Sequence, residues 1–294
     1  MRHIPRRRFG QNFLTDRGVI GSLIEAISPQ ATDIMVEIGP GLGALTKPLL
    51  ARLQHLHTVE LDRDIVAWMQ QQYPVNKLTI HNVDALKFDF STITQSAIDS
   101  GMIARRRESD DEIVQKKVQR EVSAAADAAS ALNVQRIRVV GNLPYNISTP
   151  ILFHLLDNVA IITDMHFMLQ KEVVERMVAV PSTPEYGRLS VMLQYRLQME
   201  YLFTVPPEAF EPAPKVESAF VRAVPHKSLP YPAIDENLFA KVVLSAFGQR
   251  RKTLRNTLRG LLDDEGFKKL NIDPQLRAEN LSVAQFVSIA NHLI

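Results

Sequence analysis

The 294-residue chain has no cysteine, which excludes disulfides, thiolate zinc sites and a cysteine nucleophile together. No stretch approaches the uninterrupted apolar length of a membrane span. The basic start, with Arg2, Arg6, Arg7 and Arg8, lacks the following apolar segment of a secretory signal. The eight histidines lack ligand spacing, so no metal site is expected. Charge of one sign is scarce too: 34 Lys and Arg face 32 Asp and Glu, a net charge of +2. With 46% hydrophobic and 22% charged residues, the chain is expected to be soluble and cytoplasmic, with a large core or a main domain and a small appendage. Its cations are nevertheless clustered, at the start and again at Arg250, Arg251, Lys252, Arg255 and Arg259. Where the partner is an anion, clustering matters more than the total; the other reading of each cluster is a solvated face.

The rest of the chain is arranged around Arg136-Ile-Arg-Val-Val-Gly-Asn-Leu-Pro-Tyr145. Ile137 to Val140 is a β-branched apolar run that predicts a buried strand, delivering Asn142-Leu-Pro-Tyr145 at its carboxyl end, where open α/β sheets keep their chemistry. An amide, a proline and an aromatic face suit a flat nitrogenous ring, although Asn and Pro also form ordinary turns.

Upstream, Asp16 precedes Val19, Ile20, Leu23, Ile24 and Ile27, which share one helix face. Ile34 to Ile38 reads as a strand entering Gly39-Pro-Gly-Leu-Gly43, followed by a helix through Leu45, Leu49, Leu50 and Leu53. Glycines there let backbone amides approach a ligand, and the following helix start favours electron-rich groups. A strand from Leu56 to Leu61 carries Glu60 at its end, 21 positions after Gly39, where a βαβ nucleotide site keeps its ribose carboxylate. After a helix from Ile65 to about Gln72, a strand from Leu78 to Asn82 leads to Asp84 on the same edge.

About 92–135 we expect an exposed, partly helical insertion, with the charge run Arg105 to Glu112 and the alanine-rich Glu121 to Leu132. A helix is expected to start at Ser148-Thr-Pro150 with a hydroxyl cap. Asp164 to Leu169, Tyr201 to Val205 and Ser218 to Val224 read as later strands, with a helix bearing Lys171, Glu172 and Arg176 after the first. The proline-stiffened Phe210-Glu-Pro-Ala-Pro-Lys-Val-Glu-Ser218 can hold Phe210 and Lys215 near the catalytic edge, or can be a connector with Phe210 in the core. Pro225 to Pro232 reads as a linker. An amphipathic pattern from Leu238 to Leu262 then puts Arg251, Arg255 and Arg259 on one helix face, a row that could track a phosphate backbone. The expected domains are therefore 1–232, an α/β Rossmann-like sheet with helices on both faces, and 233–294, small and all-helical.

Gly39, Gly41 and Ala44 also satisfy the permissive dinucleotide fingerprint, so a nicotinamide enzyme is a rival. Against it stand Pro40 in the turn, Asp84 at an adenine edge, and the Asn142–Tyr145 segment waiting for a second ring. Hydride transfer would also want a proton donor, and we find no His or Lys at these strand ends. The pattern suits S-adenosylmethionine better.

Val36-Glu-Ile-Gly-Pro-Gly41, Val59-Glu-Leu-Asp62, Gly141-Asn-Leu-Pro-Tyr-Asn-Ile-Ser148, Phe9-Gly-Gln-Asn-Phe-Leu14, the Phe210–Ser218 loop and Gln249-Arg-Arg-Lys-Thr-Leu-Arg-Asn256 closely resemble the ribosomal RNA adenine dimethyltransferases. Within them the likeness is to the bacterial small-subunit group, which dimethylates two adjacent adenosines near the 3′ end of 16S rRNA. The resemblance spans nearly the whole chain and departs from it at the long insertion. It implies a class I methyltransferase sheet, S-adenosyl-L-methionine as cofactor, 16S rRNA in the small ribosomal subunit or its precursor as partner, a role in subunit assembly, and a monomer without membrane contact. It also implies cofactor contacts from Asn12, Leu14, Gly39, Glu60 (ribose), Asp84 (adenine amine) and Asn142. In the mechanism that follows, the Asn142 side chain and Leu143 carbonyl accept the N6 hydrogens of a flipped adenine between Tyr145 and Phe210, with Lys215 and the 250–259 cations on RNA. A DNA adenine methyltransferase and a ribosome-assembly factor that acts by binding are the competing readings.

Overall fold

The computed structural model describes residues 12–94 and 136–294. The amino-terminal arginines and the expected insertion beyond residue 94 lie outside the described residues.

The described residues start with the short β1 (Phe13–Leu14), followed by α1 (Arg17–Ile27). The Asp16 side chain caps α1 by accepting from the Val19 amide at 2.9 Å, a contact worth about 1 kcal/mol. The apolar spacing of α1 buries Leu23, Ile24 and Ile27. Then come β2 (Ile34–Ile38), α2 (Thr46–Leu50), β3 (Leu56–Val59), α3 (Arg63–Gln72) and β4 (Leu78–His81). Next are β5 (Ile137–Asn142), α4 (Ser148–Asp157) and β6 (Ile162–Gln170). All five β2 residues are buried, four of them apolar and the fifth Glu37, as befits a central parallel strand covered on both faces.

The principal sheet has seven strands in the order β4-β3-β2-β5-β6-β9-β7, with β7 at Leu197–Val205 and β9 at Ser218–Pro225. Pairings β3–β4, β2–β3, β2–β5 and β5–β6 are parallel. The chain winds outward from β2 to β4 and then returns to β5 on the other side of β2. That reversal makes a topological switch point, so the carboxyl ends of β2 and β5 open side by side. Beside this sheet, β1 pairs antiparallel with β8 (Phe210–Glu211), Leu14 opposite Phe210.

The β2–β5 pairing requires Gly141, because a Cβ there would lie 2.5 Å from the Ile38 carbonyl oxygen. At the opposite end of β5, Arg138 donates from Nε and a terminal nitrogen to both Asp164 oxygens at 2.8 and 3.0 Å. It also reaches Asp33 at 2.6 Å and the Ile27 carbonyl at 2.6 Å. One guanidinium thus ties β5 and β6 to the end of α1 and the turn before β2.

The chain divides into two compact units, one of residues 1–169 and 202–227, the other of 170–201 and 228–294. The helical unit therefore takes in 170–201 as well as the expected carboxyl-terminal segment, and its second stretch begins at 228 rather than 233. Its helices are α5 (Lys171–Val178), α6 (Arg188–Arg196), α7 (Glu236–Phe247), α8 (Leu254–Thr257), α9 (Asp264–Lys269) and α10 (Val283–His292). The reason is packing: Val191 and Tyr195 of α6 share a core with Phe239, Val243, Leu254 and Phe286, and the Tyr195 and Phe239 rings lie 4.5 Å apart.

Two local expectations are corrected. The Leu238–Leu262 pattern does not form one helix: α7 stops at Phe247 with Gly248 at its end, and α8 begins only at Leu254. Burying both Leu254 and Leu258 completely takes a redirected chain, so Arg251 falls in the turn and no arginine row on a single helix exists. At the start of α4, Ser148 is the first helical residue and not a cap; its hydroxyl donates backwards to the Tyr145 carbonyl at 3.0 Å.

Candidate active site

A cavity of about 820 Å³ opens at the switch point. It is lined by Asn12 just before β1 and Leu14 of β1, Gly39 after β2, Glu60 after β3, Asp84 after β4, and Asn142, Leu143 and Tyr145 from the end of β5. Eight of the residues singled out in the sequence are thereby brought together. Gly39 has φ of +65°, close to Asn142 O at 3.7 Å from an added Cβ; the left-handed backbone and lack of side chain let the turn face the cavity bare.

The Asn142 amide nitrogen donates to the Asn12 carbonyl at 3.2 Å. With its donor end tied to Asn12, the side chain presents its oxygen as the group able to accept. Glu60 is 9% exposed, and its carboxylate accepts from the Asp62 amide at 2.8 Å. Burial raises its pKa, while the backbone amides of Asp62, Gly41 and Leu61 oppose that rise. Asp84 accepts from the Leu86 amide at 3.0 Å.

Phe210 is corrected. It is 4% exposed, belongs to the core cluster with Leu14 and Leu23, and is absent from the cavity wall. Pairing of β8 with β1 turns it inward, so the connector reading describes its place. A histidine does stand at one of the strand ends, contrary to expectation: His81 ends β4. Its ring faces His57, Nε2 to Nδ1 at 3.2 Å, and it does not line the cavity. Lys215 is exposed on the loop after β8, outside the cavity lining. Of the carboxyl-terminal cations, Arg250 pairs with Glu279 at 3.6 Å and Arg255 with Asp264 at 2.9 Å; Arg251, Lys252 and Arg259 are exposed. Among the described residues no group of three or more His, Cys, Asp or Glu could hold a metal ion, and no helix is long and apolar enough to cross a membrane.

Sequence reasoning did not single out Glu37, which lies inside β2. It lines the cavity, is 2% exposed, and accepts from the Thr46 hydroxyl at 2.6 Å. Burial raises its pKa from 4.5 to about 7, with Thr46 lowering it and Glu60 raising it further. The unfolded chain therefore loses this proton near 4.5 while the folded one keeps it to about 7. The group's contribution to stability is fully present below the lower value and is lost as pH rises through the higher one. Glu37→Gln, which imitates the protonated form, is expected to gain thermal midpoint over the wild type progressively between about pH 5 and 8; a constant difference across that range would show that Glu37 titrates normally.

Glycine turn, strand-end carboxylates and an aromatic amide loop at a switch point define a class I S-adenosylmethionine-dependent methyltransferase. The residues fit that cofactor: a bare left-handed turn, a buried carboxylate able to accept from hydroxyls and a second acid able to accept from an amine line one cavity. The fold is similar to that of a dimethyladenosine transferase from Plasmodium falciparum, TM-score 0.68 at 19% identity, covering 94% of this chain and 95% of that one.

The chain belongs to the ribosomal RNA adenine dimethylase family, whose sequence model matches residues 2–294. It is 64% identical to a ribosomal RNA small subunit methyltransferase A from Methylobacillus flagellatus, over 100% of this chain and 99% of that protein. It is 54% identical to the protein of the same name from Thiobacillus denitrificans, over 99% and 98%. Its activity is S-adenosylmethionine-dependent adenine dimethylation of ribosomal RNA.

Proposed function

We propose that this chain, acting as a cytoplasmic monomer, dimethylates N6 of two adjacent adenosines near the 3′ end of 16S rRNA, in the small subunit or its precursor, during subunit assembly. S-adenosylmethionine, when bound, supplies a methyl group already activated on a sulfonium sulfur. The chain's task is the nitrogen, a poor nucleophile because its lone pair is delocalised into the purine. The Asn142 side-chain oxygen and the Leu143 carbonyl accept the two N6 hydrogens, draw the nitrogen toward tetrahedral geometry and aim it at the methyl carbon. Fixed dipoles then meet the positive charge that develops on N6, and no strong base is required because the methylated amine sheds its proton readily. The carrying observation is the tether from the Asn142 amide nitrogen to Asn12 O, which supports the reading because it engages the donor end of the amide and leaves its oxygen to accept.

Asn12, Leu14 and Gly39 hold the cofactor by backbone and shape, Glu60 its ribose and Asp84 its adenine. Glu60→Ala is expected to weaken S-adenosylhomocysteine binding about 10- to 100-fold, the worth of hydrogen bonds to a charged acceptor; calorimetry showing an unchanged Kd would remove Glu60 from that role. Tyr145 stacks on one face of the flipped base, a contact of about 1–3 kcal/mol. Lys215, Arg250, Arg251, Lys252, Arg255 and Arg259 approach RNA phosphates, with Arg250 and Arg255 partly neutralised by their acidic partners. The combined change of Arg251, Lys252 and Arg259 to alanine is expected to weaken RNA binding and reduce its salt slope by about two to three. An unaltered slope in anisotropy titrations would return these cations to a solvated face.

The reading is tested by offering labelled cofactor with either small subunits from methylation-deficient cells or duplex DNA. Transfer confined to the subunits is expected; a clear preference for DNA would overturn the substrate.

A further inference from the structure

Tyr145 is held at two points by serines to which the reaction as described gives no part. Its phenolic oxygen lies 2.7 Å from Ser218 Oγ, and its backbone carbonyl accepts from Ser148 Oγ at 3.0 Å. Ser218 is fully buried and Ser148 is 2% exposed, and neither lines the cavity that Tyr145 lines. The two come from different elements, Ser148 opening α4 and Ser218 opening β9. Ser218 is also the last residue of the proline-stiffened loop, a motif whose aromatic member turned out to be buried.

We infer that Ser218, supported by Ser148, is a positioning residue that fixes the plane of the Tyr145 ring against which the target adenine stacks. This rests on the reading of Tyr145 as the stacking wall. A tyrosine ring anchored only at its Cα can swing about two torsions, and ordering it on substrate arrival would consume part of the stacking energy. With the backbone held by Ser148 and the far end of the ring by Ser218, both ends are pinned before the base enters. The ring then presents its face at no further ordering cost, and a base resting on it meets the Asn142 oxygen at a set height. Burial also keeps the phenol neutral, with its pKa raised, so the hydroxyl-to-hydroxyl bond persists throughout the working pH range.

The test is a double-mutant cycle on methylation-deficient small subunits. Wild type, Ser218→Ala, Tyr145→Phe, the double variant and Tyr145→Ala are compared for kcat, KM and S-adenosylhomocysteine affinity. Ser218→Ala and Tyr145→Phe are each expected to lower kcat about tenfold, the value of one neutral hydrogen bond. Cofactor affinity should stay within about twofold, and the double variant should be no slower than the slower single one. Tyr145→Phe breaks the same bond without touching the buried serine, so the cycle reads the contact even where Ser218→Ala folds poorly. Losses that multiply in the double variant, or a Tyr145→Phe enzyme at full kcat while Tyr145→Ala is slow, would overturn the positioning role alone. Full kcat in Tyr145→Ala would instead overturn the stacking reading beneath it.

Discussion

Asn142→Ala lowers methyl transfer at saturating cofactor by about two to three orders of magnitude, the scale set by removing one preorganised dipole from a reacting centre. The loss should fall on kcat, because the oxygen matters most when charge develops on N6 and less when the adenine first enters. Binding to the small subunit, which the proposed function assigns to other residues, is expected to stay nearly intact. That pattern also separates an enzyme from an assembly factor working by occupancy. Measured rates within about tenfold of wild type, or subunit binding lost together with activity, would contradict the assignment.

Arg138→Ala is expected to have the largest effect on stability, about 3–5 kcal/mol, because it leaves the Asp164 carboxylate buried without its partner. The side chains of Arg138 and Asp164 are 12% and 9% exposed, so solvent does little to compensate. The same strand carries Asn142 four residues later, and the ion pair joins β5 to its neighbour β6 within the layer that holds the active loop. Urea denaturation of the catalytic unit should show a lowered midpoint; a shift worth less than about 1 kcal/mol would mean that the network behaves as a surface pair.

The parts of the fold legible in the sequence are those with local signals. Asp16 before Val19 and Leu23 marked α1, and the mostly apolar Ile34–Ile38 running into Gly39 marked β2 and its turn. Acids just beyond two further strands marked the cofactor edge, because parallel strands deliver their ends to one side. Long-range packing hid the rest. Phe210 could be read as facing the site or the core, and only its pairing opposite Leu14 turns it inward. The arginine spacing at 251, 255 and 259 was a sound helical pattern, but Gly248 ends α7 and burial of Leu254 and Leu258 redirects the chain. Glu37 carries no local signal inside its strand, because the Thr46 hydroxyl that it accepts from lies beyond the glycine turn. Ser148 looked like a helix cap, yet its hydroxyl turns back to Tyr145.

The central claim is that an adenine amine held by Asn142 receives two methyl groups. The most direct measurement is mass spectrometry of nucleosides from small-subunit RNA of methylation-deficient cells, after incubation with S-adenosylmethionine and either the wild-type chain or Asn142→Ala. The account expects N6,N6-dimethyladenosine from two adjacent positions with the wild type and essentially none with the variant. Methylation that stops at the monomethyl nucleoside, or dimethyladenosine formed equally well by Asn142→Ala, would contradict it.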